Sequence, residues 1–143
     1  QGNAVDPYAV DWANPRGILL RQDAGPANPL GQVAIRFANP FSVYLHDTPS
    51  KPLFERAARA VSSGCVRVES ALQLVDLLLE EDERDTVARL LQSGETHEYR
   101  LARQTPILMA YWTADADDSG LPRYRPDIYK RDAALLRALD AAR

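Results

Sequence analysis

Cysteine is nearly absent from this chain of 143 residues. Cys65 stands alone, so no disulfide can form within it, and with only His46 and His97 beside it a zinc site would need carboxylates that no motif signals. Neither sign of charge is in excess. Seventeen Lys and Arg against 20 Asp and Glu leave a net charge of -3, which generates no field to draw nucleic acid or anionic lipid, and no nucleic-acid partner is expected. No apolar run approaches the roughly 20 residues of a membrane helix. The opening Gln1-Gly2-Asn3 carries neither a basic nor an apolar leader segment and no initiator methionine, so a mature product or a piece of a longer protein is expected.

What is present is ordinary globular material. An apolar fraction of 45% and a charged fraction of 26% exclude disordered and coiled-coil classes. A chain of this length buries about 68–70% of the surface it exposes unfolded, enough for one core, so residues 1–143 are read as a single domain.

Residues 1–31 are irregular, closing on the turn cluster GPANPLG (25–31). Alternation then begins: Val33, Ile35 and Phe37 in 32–37, and Val43 and Leu45 in 42–46, predict a hairpin with His46 at the exit of its second strand. A short helix is predicted over 53–61 and, after Gly64, a short strand through Val66 and Val68. Ser70 followed by Gln73 has the pattern of a capping box, opening a helix with Leu72, Val75, Leu78 and Leu79 on one stripe. A second helix is predicted over 83–93, strands over 97–102, 106–114 and 121–125, and a closing helix over 130–142. Strands, helices and strands in that order favour an α+β class. Asp115, Asp117, Ser119 and Gly120 match the first half of a calcium loop, but Pro126 occupies the place of the bidentate glutamate, so calcium is not expected.

The chemistry concentrates around the lone thiol. A buried structural cysteine gains nothing from a preceding Ser-Ser-Gly, whereas a nucleophile gains a turn that exposes its sulfur and lets backbone N–H groups face an oxyanion. Arg67, two residues on in an extended segment, projects to the same face as Cys65. A free thiol has a pKa of about 8.5 and is little ionised near neutrality, so a cysteine enzyme needs a base or a cationic neighbour. His46, nineteen residues earlier, is the candidate base, while His97 beside Glu98 reads as a sheet or surface histidine. Asp47 is a candidate to orient the imidazole, but adjacent strand residues face opposite ways, so a backbone carbonyl is an equal candidate.

These residues resemble a known family. His46, Thr48, Pro49 and then SSGCVRV (62–68) look like the signature of the L,D-transpeptidases of the YkuD family, with the wording YLHDTPSKPLFERAARAVSSGCVRV (44–68) nearest to its large Gram-negative YcbB-like subgroup. VDW (10–12), GPANPLG and RYRPDIY (123–129) extend the likeness over most of the chain. Ser63 stands where most of the family has histidine.

The resemblance implies a mixed or antiparallel β-sandwich with flanking helices, without the leading strands with which the family domain normally begins. It implies a cysteine acyltransferase of the periplasm that needs no metal or cofactor. Its partners would be two peptidoglycan stem peptides, a donor tetrapeptide and an acceptor, joined between their third-position diaminopimelate residues with release of terminal D-alanine. Cys65 would be the nucleophile and His46 the base, with Asp47 a third member. Ser63 and Gly64 would contribute to the oxyanion hole, and Tyr44 and Arg67 would border the substrate cleft. Carbapenems would acylate the same thiol, and the parent protein would be a candidate for membrane anchoring. An L,D-carboxypeptidase using the same thioester and a non-catalytic peptidoglycan-binding remnant are the alternatives. A papain-like peptidase is disfavoured, because there the cysteine precedes the histidine.

Overall fold

The computed structural model describes residues 3–142. They fall into two compact units, one ending at Gln104 and one beginning at Thr105, with helices and small sheets in both. The α+β class follows directly.

In the first unit the alternation of the hairpin segment survives intact. Val33, Ile35 and Phe37 are half-buried while Gln32, Ala34 and Arg36 are exposed. The regular ladder is short: β1 is Ala34–Ile35 and β2 is Leu45–His46, antiparallel with Ala34 opposite His46. Asn39 shapes the connection, its amide donating to the carbonyls of Phe37 and Val43 and its oxygen accepting from the N–H groups of Phe41 and Val43. The third strand, β3 (Val66–Arg67), lies on the other side of β2 and runs parallel to it.

The helix predicted over 53–61 is a 3-10 turn at Lys51–Glu55, and residues 56–61 are all exposed. Helix formation there has no packed face to support it, and an isolated stretch of that length is not stable by propensity alone. Helix α1 spans Ala71–Leu78 and α2 spans Glu81–Gln92. Ser70 precedes α1 without a side-chain cap, so the predicted capping box is not formed. The reciprocal half of such a box occurs instead at α2, where Glu83 Oε2 accepts from the Glu80 N–H at 2.9 Å.

The other Glu83 oxygen accepts from the Tyr99 hydroxyl at 2.9 Å and the Ala102 N–H at 3.0 Å. That buried carboxylate thus fastens the segment after α2 back onto the helix. Apolar burial is thin: Ala71, Leu79 and Val87 are the buried hydrophobic side chains among the described residues, beside buried His46, Asp47, Thr48 and Glu83. Residues 97–102 form no strand, because their alternation finds no partner ladder among the described residues.

The second unit is built on a hairpin of β4 (Ala114–Ala116) and β5 (Pro122–Tyr124), followed by α3 (Asp132–Ala141). Residues 106–113 are not in a strand, and pairing starts only at Ala114, the last residue of the predicted strand 106–114, and runs on to Ala116. Asp117 shapes the turn between β4 and β5, accepting from Ser119 and from the Leu121 N–H, while Asp115 is held by Arg123 and Arg125. No helix among the described residues is long and apolar enough to cross a membrane.

Candidate active site

The parallel pairing of β2 with β3 assembles the candidate residues. Leu45 registers with Val66 and His46 with Arg67, so Tyr44 stands one step earlier beside Cys65. The main-chain bonds that hold this register are Val66 N–H to Tyr44 O at 3.0 Å and Val68 N–H to His46 O at 2.8 Å. Side chains alternate along each strand, so Tyr44 and His46 share a face of β2 with Cys65 and Arg67 of β3. Burial agrees, since Cys65 and Arg67 are half-buried while Val66 between them is exposed. The Tyr44 and His46 rings lie 5.8 Å apart, tilted by 57°.

His46 is buried, and its Nδ1 contacts the main-chain carbonyl of Asp47. A carbonyl can only accept, so Nδ1 carries a proton, and in the neutral imidazole Nε2 is then left with its lone pair. That is the tautomer a general base requires.

The Asp47 carboxylate is turned to the other face of the strand and is fully engaged there. Oδ1 accepts from Lys51 Nζ at 2.6 Å and Oδ2 from the Gln32 N–H at 3.0 Å. Burial raises the Asp47 pKa, but the Lys51 ammonium and the Gln32 and Thr48 N–H groups outweigh it and hold the carboxyl below its ordinary value. Gly31 closes against this group. Its φ is +62°, and a Cβ there would lie 2.3 Å from Asp47 Oδ2.

Ser63 and Gly64 lie in the approach to β3. Gly64 is not in the left-handed region, and a Cβ on it would meet only Val43 Cγ2 at an ordinary 3.7 Å. Its backbone does not require glycine, which differs from the turn role read from the sequence. The bend is held instead by Ser62, whose hydroxyl donates to the Cys65 carbonyl at 2.5 Å and accepts from the Gly64 N–H at 3.3 Å. Among the described residues the N–H groups of Ser63 and Cys65 have no hydrogen-bond acceptor.

Burial, and then the adjacent Cys65, push the Tyr44 phenol above its ordinary value against a lesser pull from Arg36. Arg67 Nε is buried without a partner. A cavity of about 280 Å³ bordered by Arg36, Asn39, Ser42 and Val43 reaches Tyr44, and another of about 260 Å³ is bordered by Gln32, Asp47, Lys51 and Glu69. Among the described residues no cluster of three His, Cys, Asp or Glu side chains is placed to hold a metal ion.

Two residues that sequence reasoning passed over stand out: Lys51, which is four residues after Asp47 and of opposite charge, and Ser62, whose hydroxyl shapes the bend before the thiol. The first carried a spacing signal. The second carried none beyond its place in the motif.

The YkuD family model, described as the L,D-transpeptidase catalytic domain, matches residues 1–91, a span that includes every candidate site residue. A Haemophilus influenzae protein named "Putative L,D-transpeptidase" is 38% identical over an alignment of 143 residues that covers 94% of this chain. The chain corresponds to 28% of that protein's length. The match over more than half of its residues identifies this chain as a member of the YkuD L,D-transpeptidase family.

Proposed function

We propose that this chain carries the acyl-transfer centre of a peptidoglycan L,D-transpeptidase working through a Cys65 thioester. The observation that carries the reading is the pairing of β2 with β3, which sets the lone thiol and a histidine with a free Nε2 on one sheet face. In this reading the three-stranded sheet is one layer of the sandwich that the family resemblance implies.

His46 Nε2 takes the Cys65 proton as the sulfur attacks the carbonyl between diaminopimelate and terminal D-alanine of a donor tetrapeptide. The oxyanion of the tetrahedral intermediate is met by the unengaged N–H groups of Ser63 and Cys65, while the Gly64 N–H between them donates to the Ser62 hydroxyl. Collapse of the intermediate breaks the peptide C–N bond, and the imidazolium returns its proton to the departing D-alanine amine, leaving a thioester. The side-chain amine of a second stem's diaminopimelate then attacks the thioester. Its proton passes to His46 and on to the departing sulfur, and an amide joins the two third-position residues.

Asp47 serves this cycle through its main-chain carbonyl, which keeps Nδ1 protonated. Tyr44 and the cavity beside it border the donor, and the unpartnered Arg67 Nε is a donor available to a stem-peptide carboxylate or carbonyl. The reading places the protein in the periplasm, where its polymeric substrate is cross-linked to hold cell shape, and makes the thiol a carbapenem target.

Two measurements test it. Intact-mass analysis after exposure to a carbapenem is expected to show one adduct, abolished in Cys65→Ser; a folded protein without the adduct overturns the reading. Incubation with tetrapeptide muropeptides is expected to give cross-linked dimer and free D-alanine, whereas tripeptide alone would mean that water is the acceptor and the enzyme an L,D-carboxypeptidase.

A further inference from the structure

We infer that Lys51 is a positioning residue that holds the His46 base in register with the Cys65 nucleophile, a role that rests on the acyl-transfer reading above. Its ammonium donates to Asp47 Oδ1 at 2.6 Å and to the Glu69 carbonyl at 2.5 Å. Asp47 directly follows His46, and Glu69 lies four residues after Cys65. One cation therefore ties the exit of the base-bearing strand to the exit of the nucleophile-bearing strand.

The tie acts on the atom that sets the imidazole. The Asp47 carbonyl that receives Nδ1 belongs to a planar peptide unit and cannot turn without moving Asp47 or Thr48. Asp47 is pinned by its own N–H to Val33 O at 2.9 Å and through its carboxylate to Gln32 and Lys51. Thr48, on the far side of the same peptide unit, is only 2% exposed. Lys51 is the member of this set that also reaches the β3 exit, so its loss leaves the Val68 N–H to His46 O bond as the remaining tie there and lets Asp47 and Glu69, beyond that bond, shift relative to one another. Small displacements of that kind lower reaction rates steeply without removing any reacting group.

A purely stabilising ion pair would behave differently. The Lys51 side chain is 48% exposed but that of Asp47 only 11%, so removing the cation leaves a buried carboxylate uncompensated, and a purely structural role predicts a rate loss that follows the fall in melting temperature.

The test compares wild type with Lys51→Met, Lys51→Arg and Lys51→Gln, following the carbapenem acylation rate against concentration, the melting temperature, and the His46 ring tautomer by nitrogen-15 NMR. Lys51→Met is expected to lower the saturating acylation rate roughly 10- to 100-fold with the half-saturating concentration within about twofold of wild type. The Nδ1-protonated tautomer is expected to lose its dominance in that variant. Lys51→Arg, which keeps the cation, is expected to recover most of the rate. Wild-type acylation by folded Lys51→Met overturns the inference, as does a loss that merely follows the unfolded fraction. Should Lys51→Met fail to fold, Lys51→Gln is read by the same measurements, and failure of both to fold makes Lys51 a stability element and overturns the inference. If wild type itself is not acylated, the acyl-transfer reading has failed, and an unchanged tautomer in Lys51→Met then overturns the positioning role separately.

Discussion

The main-chain carbonyl of Asp47 is the partner of His46 Nδ1, while the carboxylate of the same residue is bound to Lys51 and Gln32 on the opposite face of the strand. The residue following the base therefore orients it through its backbone. Asp47→Asn keeps that carbonyl and an oxygen for Lys51 but presents an amide where the Gln32 N–H needs an acceptor. It is expected to cost about 1–3 kcal/mol of stability, the range for an orphaned donor. Acylation is expected to slow no more than about 100-fold, against the roughly 10⁴-fold drop seen when a triad carboxylate is removed. Urea titration and acylation kinetics read the two effects.

Replacing His46 removes the acceptor for the thiol proton and leaves the nucleophile in place. His46→Gln is expected to lower the acylation rate by about 10²- to 10⁴-fold, the usual contribution of a general base. Stopped mass-spectrometric time courses measure the rate.

Gly31 and Gly64 are expected to respond in opposite ways to alanine. At Gly31 the left-handed backbone alone costs about 1–2 kcal/mol, and the new Cβ collides with the Asp47 carboxylate, so the loss of stability is expected to exceed that figure. Gly64→Ala meets only Val43 at contact distance and is expected to stay within about 0.5 kcal/mol of wild type. Activity lost in Gly64→Ala with an unchanged melting temperature would place the need for glycine in the approach of the substrate rather than in the chain.

Acid is expected to weaken the first unit through two carboxyls. Burial works against ionised Asp47, but its hydrogen bonds prevail and depress its pKa; the N–H groups of Glu80 and Ala102 depress that of Glu83 in spite of its desolvation. A depressed carboxyl contributes stability that is fully present above its unfolded value, about 3.9 for Asp and 4.3 for Glu, and is lost as pH falls through the lower folded value. The urea midpoint is therefore expected to be insensitive to Asp47 and Glu83 titration from pH 7 to about 5 and to fall below about pH 4. Asp47→Asn combined with Glu83→Gln is expected to flatten that fall.

The hairpin was legible because alternation at Val33, Ile35 and Phe37 encodes a face, and the antiparallel partner lies within a short turn. The segment 97–102 alternates too, yet a pattern of faces carries no information about whether a partner ladder exists, and none is present among the described residues. The motif around Cys65 named the site residues, but periodicity could not pair β2 with β3, since parallel strands are joined by long connections whose composition says little about register. The ambiguity over Asp47 turned on whether Nδ1 meets a carboxylate or a carbonyl. Both atoms belong to one residue, and only the three-dimensional arrangement separates them. Lys51 was hidden for a related reason: its i,i+4 spacing to Asp47 suggests a helical pair, whereas the two residues meet across the non-helical bend 48–50 that precedes the 3-10 turn.

The parallel pairing of β2 with β3 also loosens the link between the two halves of the motif along the chain. The exposed residues 56–61 bear none of the ladder bonds that register Tyr44 with Cys65. Their length is therefore not a ruler for the site. A protease nick within them would distribute base and nucleophile over two polypeptides while leaving the strand bonds and the Lys51 bridge unbroken, and insertions there would lengthen the tether without altering what it joins.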